Sequence, residues 1–539
     1  MMKKAIKKLL AALLAVAMVC AMAIPAFAFE SWETEEDLNK NHDYIAFQIF
    51  KGVISKDNPT LFGVDWGQHI PDDEDFLAEL KRDLTIGGEF ENATTPQDVL
   101  AVISKWHDSD ANSIAFARFV CHYLYSDGGA PKSNIVGHGG AIKIPEPGYY
   151  LIVDNIDFSN GDYYHAYNSF LLVNDTNQGE YNVIINHKVV KPTVEKKVYD
   201  NDNNDISSAG GWGSSADHAI NEKFQFQLIA KLPAGRDEGR AYDYYDKYTV
   251  CFNDTLSEGI TYDGLDSVVI ESNGTPYDIT KDSSKYDIDT TDLESQNSFV
   301  VKIHDVKTCA EGLDLNDGAT ITVTYTAHLN DKAYVNTGSS STENKNSVQL
   351  QYSNNPRPGD YWGTTPKSEV CVYTYQLNNT KYRDEVNENN KLEGAGFRLY
   401  SNEACTEEQE VKLYKKGNFY YPIKDATDKA QDAVEMFSDE HGQFNVKGLD
   451  AGTYYLKETN PPADYSACAD KEIVISATHD VNHVSLSGNL STTIINKKAG
   501  GITLPSTGGI GTTIFYVVGG GLMVAAIVLL VTKKRMENK

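Results

Sequence analysis

The sequence predicts a mainly β protein: tandem immunoglobulin-like β-sandwich domains, the N-terminal one with helical insertions, set between a signal peptide and a C-terminal transmembrane helix. Three observations carry this expectation. Short alternating apolar and polar runs, punctuated by Gly, Asn and Asp, recur from about residue 191 to residue 499. Helical periodicity is concentrated in one stretch, around residues 95–125. The only two long apolar runs lie at the two ends, each beside lysines. At ~150 residues per domain, 539 residues allow three to four domains.

The elements follow in chain order. Residues 1–28 read as a signal peptide. Lys3, Lys4, Lys7 and Lys8 precede an apolar stretch from Leu9 to Ile24, and Ala26-Phe27-Ala28 supplies the small-x-small exit. Cleavage would leave Phe29 first. Residues 29–190 read as a sheet with one helical excursion. Thr95-Pro96-Gln97-Asp98 is an N-cap with proline at the first helical position. Val99, Leu100, Val102, Ile103 and Trp106 follow at helical spacing, and Ile114, Phe116, Ala117, Val120 and Leu124 make a second stripe that Asp110 or Asn112 could cap. Strand-like runs cover Tyr44 to Phe50, Gly148 to Val153, Ser169 to Val173 and Tyr181 to Ile185.

Residues 191–368 are almost all β. The expected strands are Phe224 to Leu228, Lys247 to Phe252, Ser267 to Glu271, Ser298 to Ile303, Thr320 to His328 and Ser347 to Tyr352. Residues 369–499 repeat that style in a shorter module, and regular short strands with turn signals indicate β-sandwiches. Residues 500–539 hold a Gly-led spacer, Leu504-Pro505-Ser506-Thr507-Gly508, the apolar run Ile510 to Val531, and Lys533-Lys534-Arg535. Twenty-two helical residues rise ~33 Å, enough for a bilayer core, and the basic tail favours the cytoplasmic side.

Charge and cysteine content narrow the function. The chain carries 76 acidic and 48 basic residues, a net charge of −28. Without residues 1–28 and 508–539, 40 basic and 75 acidic residues remain (48 less 8, 76 less 1), a net of −35. A nucleic-acid partner needs a basic face, so that class is excluded. Six cysteines survive signal removal: Cys121, Cys251, Cys309, Cys371, Cys405 and Cys468. They are too sparse for a disulfide framework, although Cys405 with Cys468 is one pairing to consider. No C-x-x-C pair supports zinc. Asp200, Asp202 and Asn204 space like the start of a calcium loop, but Asp205 and Gly211 stand where an EF-hand needs Gly and Glu. Gly137-His138-Gly139-Gly140 has no G-x-S-x-G elbow beside it. No metal, cofactor or turnover catalysis is expected.

Lysines, acids and asparagines carry the chemistry instead. Tyr375, Leu377, Asn379 and Lys381 share one strand face by period-two alternation, which draws Lys381 into the core. Tyr455-Leu456-Lys457-Glu458-Thr459 comes later, and Thr493-Ile494-Ile495-Asn496 ends the last strand. An apolar site lowers a lysine pKa and raises that of a carboxyl group. The neutral amine can then attack the asparagine amide carbon, with the acid shuttling protons, to leave an isopeptide bond and ammonia.

The Tyr-x-Leu-x-Glu-Thr run, followed by proline and Tyr465, resembles the E-box of collagen-adhesin B-type (Cna-B-like) domains. The resemblance puts Lys381, Glu458 and Asn496 at the lysine, catalytic acid and asparagine positions. Here Pro461-Pro462-Ala463-Asp464-Tyr465 stands where the family usually has Ala-Pro-x-Gly-Tyr. The middle module resembles the A-type partner of that fold. Lys191-Pro192-Thr193-Val194-Glu195-Lys196-Lys197-Val198 looks like its opening strand, and parity selects Lys196 as the inward nucleophile, with Lys197 the runner-up. Phe252-Asn253-Asp254-Thr255-Leu256 resembles the strand bearing the acid, here Asp254, and Asn346 matches the closing asparagine.

Leu504 to Gly508, with the span and basic tail behind it, resembles the LPxTG sorting signal of Gram-positive wall-anchored proteins. The resemblance implies a sortase cysteine attacking the Thr507 carbonyl and passing the acyl group to an amine. Tyr44-Ile45-Ala46-Phe47-Gln48-Ile49-Phe50-Lys51-Gly52 and Trp66-Gly67 resemble the first domain of sortase-assembled backbone pilins. Those carry an acceptor lysine near the end of that domain, usually in a Tyr-Pro-Lys context. Lys188 holds the place here, with Asn186-His187 before it and Lys191 as its rival. The partners implied are a pilus-specific class C sortase, a housekeeping sortase, identical subunits head-to-tail, minor pilins, peptidoglycan and host surface ligands. The alternative reading is an LPxTG wall-anchored adhesin that never polymerises.

Overall fold

The computed structural model describes residues 43–499 apart from 56–57, 71, 108–109, 127–132, 139–140, 155–167, 174–180, 185–191, 202–210, 237–239, 338–343, 357–361, 427–431 and 489, together with positions 522, 526 and 533. Its described part is mainly β, with few helices. No helix among the described residues is long and apolar enough to cross a membrane. The expected signal peptide lies outside the described residues, as does the expected span but for two isolated positions.

A seven-stranded sheet opens the fold. Its order is Asn168–Val173, Gly148–Asp154, Asp43–Ser55, Val136–His138, Ala141–Ile144 and Tyr181–Ile184, with Asn58–Trp66 paired to Asp43–Ser55. Among the described residues the helical excursion holds three α-helices, Asp73–Arg82, Pro96–Ile103 and Ala111–Tyr125. Thr95 caps Pro96–Ile103 in a capping box with Asp98, as its sequence dictates. Trp106 falls past that helix yet stays buried. Asp110 stands at the N-cap of Ala111–Tyr125, but its carboxylate accepts from the His107 N–H at 2.8 Å rather than from the helix. The helices press Phe76, Phe116 and Val120, and the short 3-10 turn Gly87–Phe90 adds Phe90, onto Phe47, Phe50, Trp66 and Leu151 of the sheet.

Two sheets make the middle sandwich. One runs Ser215–Asp217, Ser368–Tyr373, Asn344–Ser353, Val250–Leu256, Ser298–Ile303 and Tyr286–Asp289. The other runs Thr275–Asp278, Ile260–Ser272, Ala319–Leu329, Lys223–Leu232, Thr193–Tyr199 and Trp212–Gly213. Phe226, Leu228, Val250, Phe252, Val301, Val323, Tyr325, Val348 and Leu350 fill the space between them. The expected strands recur, mostly longer than their apolar cores. The run expected from Lys247 begins instead at Val250. The strand Ser368–Tyr373 pairs antiparallel with Asn344–Ser353, so the expected break at residue 368 falls at the head of a strand of this sandwich.

The last sandwich packs Leu413–Lys416, Phe419–Pro422, Asn445–Leu449, Tyr375–Arg383 and Ser491–Asn496 against Met436–Phe437, Gly396–Tyr400, Gly452–Asn460, Lys471–His479 and Val484–Gly488. Its first strand, Tyr375–Arg383, and its last, Ser491–Asn496, are parallel neighbours, with Lys381 opposite Ile494 and Arg383 opposite Asn496. The two sandwiches meet at a polar seam. Ile220 N–H donates to the Gly448 carbonyl at 2.9 Å, Asn221 Nδ2 to the Pro422 carbonyl at 2.8 Å, and Tyr373 Oη to the Asp480 carbonyl at 2.9 Å. Gly448 has φ +84°, and a Cβ there would sit 2.5 Å from the Ile220 side chain, so this approach requires glycine.

Candidate isopeptide sites

Strand alternation places each predicted lysine. In Thr193–Tyr199, Lys196 is buried and Val198 is buried beside it, while Glu195 points outward. Lys197 faces the other way, its side chain one-third exposed and its Nζ 3.4 Å from Glu195. Parity therefore orients Lys196, not Lys197, inward. In Tyr375–Arg383 the residues Tyr375, Leu377, Asn379 and Lys381 are all fully buried, as period two requires.

In the last sandwich the predicted trio converges. Lys381 Nζ lies 3.2 Å from Glu458 Oε1 and donates to Asn496 Oδ1. Asn496 Nδ2 donates to the same Glu458 Oε1 at 2.7 Å. The Phe397 ring stands 5.1 Å from the amine. Lys381 and Asn496 come from adjoining strands of one sheet and Glu458 from the facing sheet. Burial drives the Lys381 pKa below its ordinary value, against the pull of its neighbours, Glu458 among them. One carboxyl oxygen thus touches both the attacking amine and the amide nitrogen that would leave. That geometry lets it take a proton from the first and deliver it to the second.

The middle sandwich builds its site across the two sheets. Lys196 Nζ donates to Asp254 Oδ2, and neither side chain has exposed surface. Asn346 is also fully buried, on the strand next to that of Asp254. A residue the sequence reading did not single out joins them. The Tyr325 hydroxyl accepts from Asn346 Nδ2 at 2.5 Å and from Lys196 Nζ at 3.1 Å, and donates to Asp254 Oδ1 at 3.2 Å. Phe226 and Tyr325 present their rings to the amine at 5.2 and 5.3 Å. Burial lowers the Lys196 amine to about 8 despite the adjacent Asp254. Burial also raises the Asp254 carboxyl above its ordinary value, against the opposing pull of Lys196. Both shifts favour moving the proton from amine to acid.

Other predicted positions fall elsewhere. Lys188, Lys191 and the Leu504 to Gly508 motif lie outside the described residues. Cys405 and Cys468 are not joined. The backbone N–H of Cys468 donates to Glu458 Oε2 at 2.7 Å, whereas Cys405 Sγ lies 3.8 Å from Asp470 Oδ2. Cys468 therefore belongs to the wall of the Glu458 site.

Residues 375–489 match the family model of the SpaA prealbumin-like fold domain, and residues 496–538 match the LPXTG cell wall anchor motif. The chain thus carries a cell-wall anchor and is attached to the wall at the cell surface. Both matches agree with the resemblance to LPxTG-anchored backbone pilins. No curated protein matches the sequence. Among solved structures, the chain is similar to a backbone pilin of Streptococcus pyogenes, at 16% identity over 86% of this chain and 97% of that one, TM-score 0.46. The full-length major pilin SpaD of Corynebacterium diphtheriae aligns at 18% identity over 68% and 79%, TM-score 0.41. A C-terminal fragment of a major pilin of Streptococcus agalactiae aligns at 19% identity over 57% and 99%, TM-score 0.39.

A bond between Lys196 and Asn346 would carry a pH signature. The form competent to react would be a neutral amine with a protonated acid, which holds one proton, like the ammonium–carboxylate pair. Above about 8 the Lys196 proton is lost, and in acid a second proton is gained. Time-resolved mass spectrometry of freshly synthesised chain should show bond formation between Lys196 and Asn346 slowing above pH ~8 and again in acid. A rate that climbs steadily to pH ~10 would contradict this. The substitution Tyr325→Phe removes a hydrogen bond to a charged group, worth ~1.5–3 kcal/mol. It should slow the same bond by about tenfold or more, and an unchanged rate would exclude the hydroxyl from the site.

Proposed function

We propose that this chain is the structural backbone subunit of a covalently polymerised Gram-positive surface pilus, stiffened by intramolecular Lys–Asn bonds. The observation that carries this reading is the pair of buried lysine–acid–asparagine sites in successive sandwiches of a wall-anchored chain. In the last sandwich the bond would join Lys381 to Asn496, releasing the Asn496 amide nitrogen as ammonia with Glu458 moving the protons. In the middle one it would join Lys196 to Asn346 with Asp254 as the acid. The modules proposed are 29–190, the A-type sandwich from 191, the B-type sandwich to 499, and the sorting signal from 500.

The topology explains why such bonds would matter. Tension along a fibre enters the last sandwich at Tyr375–Arg383 and leaves by Ser491–Asn496, two parallel strands held side by side. Pulling on them shears backbone hydrogen bonds, and resistance then depends on the unfolding rate. A Lys381–Asn496 amide bridges those strands, so tension bypasses the intervening chain. In the middle sandwich, Lys196 near the entrance and Asn346 near the exit would do the same.

Polymerisation proceeds by acyl transfer. The sortase cysteine attacks the Thr507 carbonyl and expels the amine of Gly508, forming a thioester. The ε-amine of Lys188 from the next subunit attacks that thioester, forming an amide and returning the thiol. A class C sortase would build the fibre, and a housekeeping sortase would pass it to peptidoglycan. Minor pilins and host ligands would complete the adhesive organelle.

Cell-wall extracts on denaturing gels test this reading. The wild-type chain should give a high-molecular-weight ladder, and Lys188→Ala should collapse it to monomer. A ladder that survives Lys188→Ala and disappears with Lys191→Ala moves the acceptor. Absence of a ladder in the wild type means a singly anchored adhesin.

A further inference from the structure

A second buried cluster lies where the middle and last sandwiches meet. Asp200 follows the lysine strand Thr193–Tyr199, and Asp217 ends the strand Ser215–Asp217. His479 ends the strand Lys471–His479 of the next sandwich. All three are at most 1% exposed. One ligand atom from each lies within 4.8 Å of the others. His479 Nε2 stands 3.5 Å from Asp217 Oδ1. Neither carboxylate oxygen of Asp217, which has no exposed surface, completes a hydrogen bond of full geometry, although His479 and the Tyr375 side chain stand beside it.

A carboxylate buried away from water calls for a compensating positive charge, which a bound dication can supply to Asp217 where His479 stays neutral. The imidazole is held for such a role. His479 Nδ1 lies 2.8 Å from Ser215 Oγ. With the proton on Nδ1 donated to that hydroxyl, the Nε2 lone pair faces Asp217, the arrangement in which a histidine binds metal. We infer that Asp200, Asp217 and His479 form an inter-sandwich site for a divalent cation of the zinc class, with Ser215 orienting the imidazole. A dication neutralises the two carboxylates while the histidine stays neutral. An imidazole with two carboxylates suits zinc, and calcium or magnesium prefers oxygen ligands alone. A water or a second carboxylate oxygen can fill the fourth position. The ion would pin one sandwich to the next at the joint that the isopeptide bonds leave untouched. This site stands apart from the pilus reading, since none of its residues takes part in polymerisation or in the Lys–Asn sites.

The test uses the full chain, purified in detergent and stripped with a chelator. Titration calorimetry with zinc alone should show one equivalent bound, and zinc should raise the unfolding temperature. Calcium at the same concentration should do neither. Asp217→Asn and His479→Gln should each abolish that equivalent. Ser215→Ala, which removes only the orienting hydroxyl, should weaken zinc about 10–100-fold. Should either ligand substitution unfold the chain, Ser215→Ala decides alone. The inference is overturned if the wild type binds no equivalent of zinc, if binding persists unchanged in folded Asp217→Asn or His479→Gln, or if Ser215→Ala leaves the affinity unaltered.

Discussion

Each sandwich of this chain is organised around a lysine amine that has been taken out of water. Burying an ammonium ion is costly, and a carboxylate partner offsets the cost only when geometry is good and the other polar atoms are satisfied. Lys196 and Lys381 each meet an acid from the facing sheet. Asn496 accepts directly from Lys381, whereas Asn346 reaches Lys196 through the Tyr325 hydroxyl and leaves its own Oδ1 without a hydrogen bond. The aromatic rings of Phe226, Tyr325 and Phe397 complete the enclosure. The same enclosure that makes the charged pair expensive lowers the amine pKa and so makes the neutral nucleophile accessible.

The strand order gives these sites their mechanical meaning. In the last sandwich the amine and amide lie on the first and last strands, which run parallel. In the middle sandwich the lysine sits on one sheet, with the acid and the asparagine on the other. The two proposed bonds would therefore carry tension across different boundaries of the fold. One ties neighbouring strands within a sheet, and the other ties sheet to sheet. The polar seam between the sandwiches, with Gly448 admitting Ile220, is held by neither.

Much of this was legible because strands have period two. Alternation alone turned Lys196 and Lys381 inward, and a local motif marked Glu458. The cap of Pro96–Ile103 was equally plain, since Thr95, Pro96 and Asp98 are adjacent in sequence. Asp110 shows the limit: it reaches the cap position, but a competing N–H of the preceding turn takes its carboxylate. Tyr325 escaped notice because a tyrosine among Ile321, Val323 and Ala327 reads as ordinary core. The signal that could have found it is its hydroxyl, which needs a partner once buried. Asp200, Asp217 and His479 stayed hidden for a different reason. They come from two sandwiches, and no local pattern encodes a contact made only when modules dock.

The central claim is that both buried trios complete their chemistry. Each amide releases one molecule of ammonia, so each bond lowers the mass by ~17 Da. The most direct measurement is the intact mass of the folded chain under conditions that reduce cysteines. The account predicts a mass ~34 Da below that of the processed sequence, with cross-linked peptides joining Lys196 to Asn346 and Lys381 to Asn496. A mass equal to that of the uncorrected sequence would contradict it.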